Sequence, residues 1–299
     1  MEENTLIWLT KTVTYVTLFY ASFIIAKLFF KFKNRKINIE NELTIKDNVA
    51  FAVTATGYFI ATLTIFVGVL HGESHGLIKD VILILFYSFF GNLLLILTSI
   101  INEKIVFGKK FRFYKEIIKD ENLGTGFMEA ANFIGAGLII YGAISGRNIN
   151  LFPDQGEMGH YLSDFLSLLF FWLLGQVILY IFLKIYRKFV KYDFIKEIQK
   201  DNNAVGIVYA SIFVAVSFLY SFASRGDIES WEIALEDIAY HLGLAIILLP
   251  LSRIFVEKII LPKSNLTHEI VHQEIPNKGA ALIEAFAYIG SAIIISYCM

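Results

Sequence analysis

Cysteine and proline are nearly absent: Cys298 is the single thiol, and 299 residues hold only four prolines. One thiol excludes a disulfide framework. Charge is also scarce, at 18% of residues, against roughly 25% in an ordinary soluble domain. Low-complexity tracts are missing, which sets aside disordered and collagen-like chains. No Gly-rich phosphate loop with a following Lys is present, so nothing marks an ATP-driven pump, and no cofactor is implied. What fills the chain instead is apolar: 56% of residues are hydrophobic, with Phe alone supplying 28.

These residues are gathered into runs. A helix needs about 20 apolar residues to cross the ~30 Å hydrocarbon core, and eight candidates occur, at 6–30, 49–70, 81–101, 123–145, 164–183, 204–223, 237–256 and 279–297. Short alternating segments, the mark of a membrane β-barrel, do not occur. The seventh span is interrupted by Asp237, His241 and Pro250. Proline is tolerated there where neighbouring helices satisfy the freed carbonyl. The expected fold is an all-α, multi-pass membrane protein.

Basic residues give an orientation. The connections 27–46, 103–121, 184–200 and 253–278 carry 22 of the 26 Lys and Arg. Lys11, Lys79, Arg147 and Arg225 make up the remainder, on the other side. The positive-inside rule places the four basic connections in the cytoplasm and both termini outside. Acids such as Glu73, Asp154, Glu157, Asp227 and Glu229 collect in the outer loops. The first span has no basic n-region before it and no small-residue cleavage site, so it is expected to be retained. The basic connections are explained by topology and do not call for nucleic acid. Anionic lipid or a cytoplasmic protein is the partner they could bind, and a homo-oligomer stays open.

Internal repeats decide the architecture. An Asn opens a span at Asn48, Asn122, Asn203 and Asn277, and a shift of 155 superposes the halves. Under it Gly124, Glu129, Ala130, Ile134, Gly135, Ile139 and Ile140 fall on Gly279, Glu284, Ala285, Ile289, Gly290, Ile294 and Ile295. Residues 1–150 and 151–299 thus form two copies of four spans. An even number of spans per copy makes the repeat parallel. A weaker 74-residue shift relates spans one and two to spans three and four.

The segments Asp47-Asn48-Val49-Ala50-Phe51-Ala52, Asn122-Leu123-Gly124-Thr125-Gly126 and Asn277-Lys278-Gly279-Ala280-Ala281 resemble the Asn-led, small-residue signature of the domain-of-unknown-function 350 family. The closing Tyr297-Cys298-Met299 is similar to that family's usual ending. The third segment departs from the pattern, with Val205 and Ile207 in place of small residues. The resemblance implies a bacterial inner-membrane protein of two tandem four-span copies, and no settled activity.

Two membrane glutamates are the sharpest chemical feature. Glu129 and Glu284 each sit seven residues after an Asn, about 10 Å into the helix. An ionised group that deep costs at least ~2.5–3.5 kcal/mol and is usually functional or paired. Asn132 shares the face of Glu129, and Ser291 that of Glu284. The pair could line a proton or cation path near the internal axis. It could equally be a packing device, since the helix N-terminus favours negative charge. Asp237 and His241, four apart on one helix face, form a second polar group near Lys79 and Asp80, where an outer vestibule or a solvated helix end is expected. His71 and His75 read as a flexible loop rather than a metal site.

His268-Glu269-Ile270-Val271-His272 matches the zinc-protease string H-E-x-x-H. Lys115-Glu116-Ile117-Ile118-Lys119 and Lys196-Glu197-Ile198-Gln199-Lys200 occupy the equivalent connections without His. The string therefore reads as a repeated lead-in, and metallopeptidase ranks third. Proton or cation transport without enzymatic chemistry ranks first. A non-catalytic scaffold recruiting a partner through its basic loops ranks second.

Overall fold

In the computed structural model, residues 2–72, 74, 76–106, 108, 111–190, 192–228 and 230–298 are described. Glu73, His75, Glu229 and Met299, named above, lie outside them. Eight long helices are present: α1 (Glu2–Lys33), α2 (Val49–His71), α3 (Leu77–Ile101), α4 (Leu123–Ile144), α5 (Gly156–Val190), α7 (Asn203–Ala223), α8 (Trp231–Phe255) and α9 (Lys278–Cys298); a short α6 (Phe194–Ile198) precedes α7. All of the long helices but α8 combine the length and apolarity to cross a membrane. Helix α8 has 25 residues, about 37 Å, but carries Glu232, Glu236 and Asp237 near one end and Arg253 near the other. It packs against α7 and α9.

The eight helices form two layers. Helices α2, α4, α7 and α9 make an inner row, each packed on the next. Helices α1, α3, α5 and α8 form the outer layer. Helix α3 covers the α2/α4 seam, α5 the α4/α7 seam, and α8 the α7/α9 seam. The repeating unit is therefore an outer helix, a turn and an inner helix, four times over, which is finer than the two copies of the sequence.

Small residues let the inner helices approach. A Cβ on Gly57 would lie 2.5 Å from the Ala130 backbone, and one on Gly126 2.6 Å from the Ala50 carbonyl. Gly206 meets the Gly124 backbone at 2.5 Å. These contacts pair α2 with α4, and α4 with α7, in parallel.

The turn before each inner helix explains the Asn signature. Asn48 Oδ1 accepts from the Phe51 N–H, Asn122 from Thr125, Asn202 from Val205 and Asn277 from Ala280. Each caps its helix with an oxygen at N-cap. The third cap is thus Asn202, a correction to Asn203, which is the first residue of α7 and leaves its Oδ1 without a partner. The sequence offers two adjacent Asn, and only the third turn, one residue shorter from Glu197 to its cap than the first two, decides between them. Asp47, Glu121 and Asp201 precede three caps in the left-handed region, at φ of 51°, 50° and 62°. Proline cannot adopt that conformation. Pro276 occupies the position in the fourth turn, and eight residues there separate Glu269 from Asn277 where six separate Glu116 from Asn122.

Each cap amide reaches further. Asn48 Nδ2 donates to the Ile117 carbonyl at 2.9 Å, Asn122 to Ile198 at 2.6 Å and Asn202 to Ile270 at 2.8 Å. The acceptor lies in the turn of the next unit. One side chain thus closes its own helix start and ties its unit to its neighbour. Asn122→Ala is expected to destabilise detergent-solubilised protein by roughly 2 kcal/mol or more, as cap and donor are lost together. Asn122→Ser keeps the cap oxygen and should cost less. Thermal unfolding of the two variants gives the comparison, and equal losses would remove the unit-to-unit bond from the account.

Candidate functional site

Glu129 is completely buried on α4. Lys33, at the end of α1, donates to its Oε1 at 2.8 Å, and the Ser99 hydroxyl of α3 donates to the same oxygen. Asn132 donates to Oε2 at 3.2 Å, and Tyr209 of α7 donates to Asn132. The Lys33 ammonium also lies over the Phe133 ring, 4.7 Å from its centre. A buried charge is tolerable when it is paired and hydrogen-bonded, and Glu129 is both.

Glu284, equally buried on α9, uses other partners. Arg253 of α8 and Tyr288 both donate to its Oε1, and Tyr288 is linked to Tyr186 of α5. Arg253 also donates to the Thr267 hydroxyl at 2.9 Å. The two acids have different hydrogen-bond partners, and α7 lies between the helices that hold them. The structure does not bring Glu129 and Glu284 to one centre.

The halves solve one problem in two ways. A shift of 154 carries Glu103-Lys104-Ile105 at the end of α3 onto Glu257-Lys258-Ile259 at the end of α8. Under that shift Ser99 falls on Arg253. The first half draws its cation from its first helix and a hydroxyl from its third. The second half draws its cation from its third helix and a phenol, Tyr288, from α9 itself, backed by Tyr186 of its first. In the sequence, Lys33 and Arg253 group with the basic connections.

The same alignment exposes a polar ladder on α3 that α8 repeats only in part, at His241, Ser252 and Arg253. Asp80, Ser88, Asn92 and Ser99 are all buried on α3, and Asn102 is buried just beyond its end. Asp80 accepts from Tyr15 at 2.9 Å and from Ser74 at 2.7 Å. It borders a cavity of about 140 Å³ with Tyr15, Gly72 and Ser74. Ser88 donates to Ser22 at 2.7 Å. Asn92 Oδ1 accepts from Tyr58 at 2.6 Å and Thr62 at 3.0 Å. Nineteen residues separate Asp80 from Ser99, about 28 Å along the helix, close to the hydrocarbon thickness. In α8 the matching positions of Asp80, Ser88 and Asn92 are Ala234, Leu242 and Ile246.

The remaining candidates are scattered. Asp237 is exposed and His241 is buried, joined only by the His241 ring nitrogen and the Asp237 carbonyl at 2.8 Å. Lys79 pairs with Glu157, and Asp80 faces α1, so these residues form no common vestibule. Ser291 lines a groove between α8 and α9. His71 bonds its own helix at the Val67 carbonyl.

His268–His272 is a single wide turn. Glu269 accepts there from Gln273 and from Asn277, at 2.7 and 2.9 Å. Its carbonyl accepts from the Asn277 N–H, as Glu42, Glu116 and Glu197 accept from theirs. Glu269 is thus the fourth copy of a turn anchor, and Ile270 presents the carbonyl that Asn202 holds. No group of metal-ligating side chains occurs among the described residues. Burial raises the carboxyl of the equivalent Glu116 above its ordinary range.

Removing one partner of a buried ion pair typically costs 3–5 kcal/mol, far more than replacing both. Arg253→Met should therefore unfold at markedly lower temperature, by roughly 3–5 kcal/mol in stability. Combining it with Glu284→Gln should recover most of the loss. A double variant as unstable as the single would show that Arg253 acts by something other than neutralising Glu284.

No solved structure matches the chain. A UPF0719 transmembrane protein from Aquifex aeolicus (strain VF5) is 25% identical over 276 residues, covering 92% of this chain and 93% of that one. The family described as Domain of Unknown Function (DUF350) matches twice, over residues 4–144 and 160–299. The chain is a multi-pass transmembrane protein and belongs to the DUF350 family, as two tandem copies.

Proposed function

We propose that this protein passes protons or a small cation through its first half, along the buried face of α3. The observation that carries the reading is the polar ladder of α3, where α8 has Ala234, Leu242 and Ile246 in place of Asp80, Ser88 and Asn92. Buried polar side chains in a membrane are costly and mark pathways by default, though they can also serve as interhelical glue. The second half offers a partial comparison. It places Ala234, Leu242 and Ile246 at the matching positions of α8, with Ala234 buried and Leu242 and Ile246 half-buried. The comparison therefore bears most directly on Asp80, whose place a buried alanine takes.

The path runs between two ionisable ends. Asp80 borders the small cavity near the acidic loops, in this reading the outer face. Glu129 lies toward the basic connections, where Lys33 is partly accessible. Hydroxyls of Ser22, Ser88, Tyr58, Thr62 and Ser99 stand between them. A proton arriving at Glu129 would neutralise it and release Lys33, which gives the step a natural gate. Glu284, with its arginine and tyrosines, anchors the second half. In this reading the chain is not an enzyme, and both termini lie outside. The concentration of Lys and Arg at one end favours the second reading, a scaffold that recruits a partner there.

Proteoliposomes with an internal pH dye, under an imposed potential, test the choice. Purified protein should collapse a proton or cation gradient. Glu129→Gln and Asn92→Leu should abolish the flux, and Glu284→Gln should leave it within about twofold when folded. Flux equal in all variants, or no flux with any monovalent cation, would remove the path and leave the scaffold.

A further inference from the structure

The row of units ends in a half-formed interface. Asn48 and Asn122 each donate both to the Glu of their own turn and to the Ile carbonyl of the next unit. Asn277 donates to Glu269 of its own turn, and among the described residues no carbonyl of another turn accepts from it. The helix beside it is equally unfinished. Gly124 and Gly135 of α4 are filled by α7, with Gly206, Phe213 and Ser217 pressed against them. Their repeat partners Gly279 and Gly290 on α9 meet no neighbouring helix.

A groove of about 750 Å³ follows this side of α8 and α9, lined by Leu248, Ser252, Gly290, Ile294 and others. Its counterpart between α3 and α4 is occupied by α5. Trp172 of α5 donates there to Thr98, the match of Ser252, at 3.0 Å. Gly175 of α5 lies against Ile139, the match of Ile294. Ile139 is completely buried, whereas Ile294 is 63% exposed. The groove thus has the shape of a site that the chain fills internally with the next unit's outer helix.

The opposite end of the row offers what the groove lacks. Helix α1 is the outer helix with the smallest buried share among the spans. Val13, Val16, Tyr20, Ile24 and Leu28 form an exposed stripe along it, at the three- and four-residue spacing of one helix face. Leu43 follows Glu42 as Ile117 follows Glu116 and Ile198 follows Glu197. It presents the turn carbonyl that a preceding cap amide would take.

We propose that copies of this chain join head to tail, the α8/α9 groove of one receiving α1 and the Leu43 turn of the next. The contact continues the unit-to-unit interface that the fold already makes three times. Lipid tails can cover an apolar face, but they supply neither an amide acceptor nor a helix seated between glycines. The rotation relating the copies runs about the membrane normal, so all keep one orientation. Such a heterologous contact closes into a ring or continues as a row.

Cysteine pairing tests the geometry in native membranes. Two differently tagged full-length chains, both Cys298→Ser, are co-expressed. One carries Tyr20→Cys or Ile24→Cys, and the other Ile294→Cys. Mild oxidation should join the two tags into a mixed dimer, and neither variant expressed alone should cross-link. Cross-linking of Ile294→Cys with itself overturns the proposal in favour of a twofold contact. No cross-link in any combination, with each variant monodisperse after extraction, overturns it in favour of a lipid-covered groove. Gly290→Trp, which fills the groove, should reduce the native mass to one chain while unfolding at the parental temperature. An unchanged multimeric mass would also contradict the proposal.

Discussion

The side chain of the cap asparagine is the contact on which the array depends. Inside a bilayer every backbone polar group needs a protein partner, and a helix start exposes several unpaired N–H groups. Asn48, Asn122 and Asn202 answer that need with one oxygen, and with the amide they bind a carbonyl of the next turn. Helix start, turn and neighbour are thereby fixed together. The spacing of units along the row follows from this bond, and the glycines of α4 follow from the closeness it imposes.

Charge is distributed within that frame by local solution rather than by symmetry. Both halves bury a glutamate at the same depth, and each neutralises it on the spot. Lys33 reaches Glu129 from α1, whereas Arg253 reaches Glu284 from α8. A repeat that had kept its original partners in both halves would have produced two equivalent sites. Arg253 stands at the position of α8 that matches Ser99, and the two halves are chemically unequal there. The buried polar face of α3 differs from α8 in the same way, and the proposed path rests on that difference.

Much of this was legible in the residues. The apolar runs give the eight helices, and the Asn-led signature gives the repeat and the family. The glutamates stand out because a lone acid in a membrane helix is conspicuous. Other features were hidden for physical reasons. Asn92 and Ser88 are uncharged, so they leave the hydropathy of α3 high and the span looks plain. Lys33 and Arg253 lie at helix ends and count as topology signals until a structure shows them turned inward. The adjacent Asn202 and Asn203 differ only in which backbone conformation each adopts. Pairing within each helix is readable from spacing, whereas the choice of partner between helices depends on packing that spacing does not encode.

The parallel row is the central claim, and matched spin labels test it most directly. Ile60, Ile134, Val214 and Ile289 occupy equivalent positions on α2, α4, α7 and α9, facing one groove. Packed helices lie 8–10 Å apart, so labels on consecutive inner helices should couple strongly. Coupling between α2 and α7, or between α4 and α9, should be clearly weaker than between consecutive members. Strong coupling for every consecutive pair at this one depth is the expected result. Weak coupling between α4 and α7, where the two family copies meet, would contradict the row and leave two independent four-helix bundles.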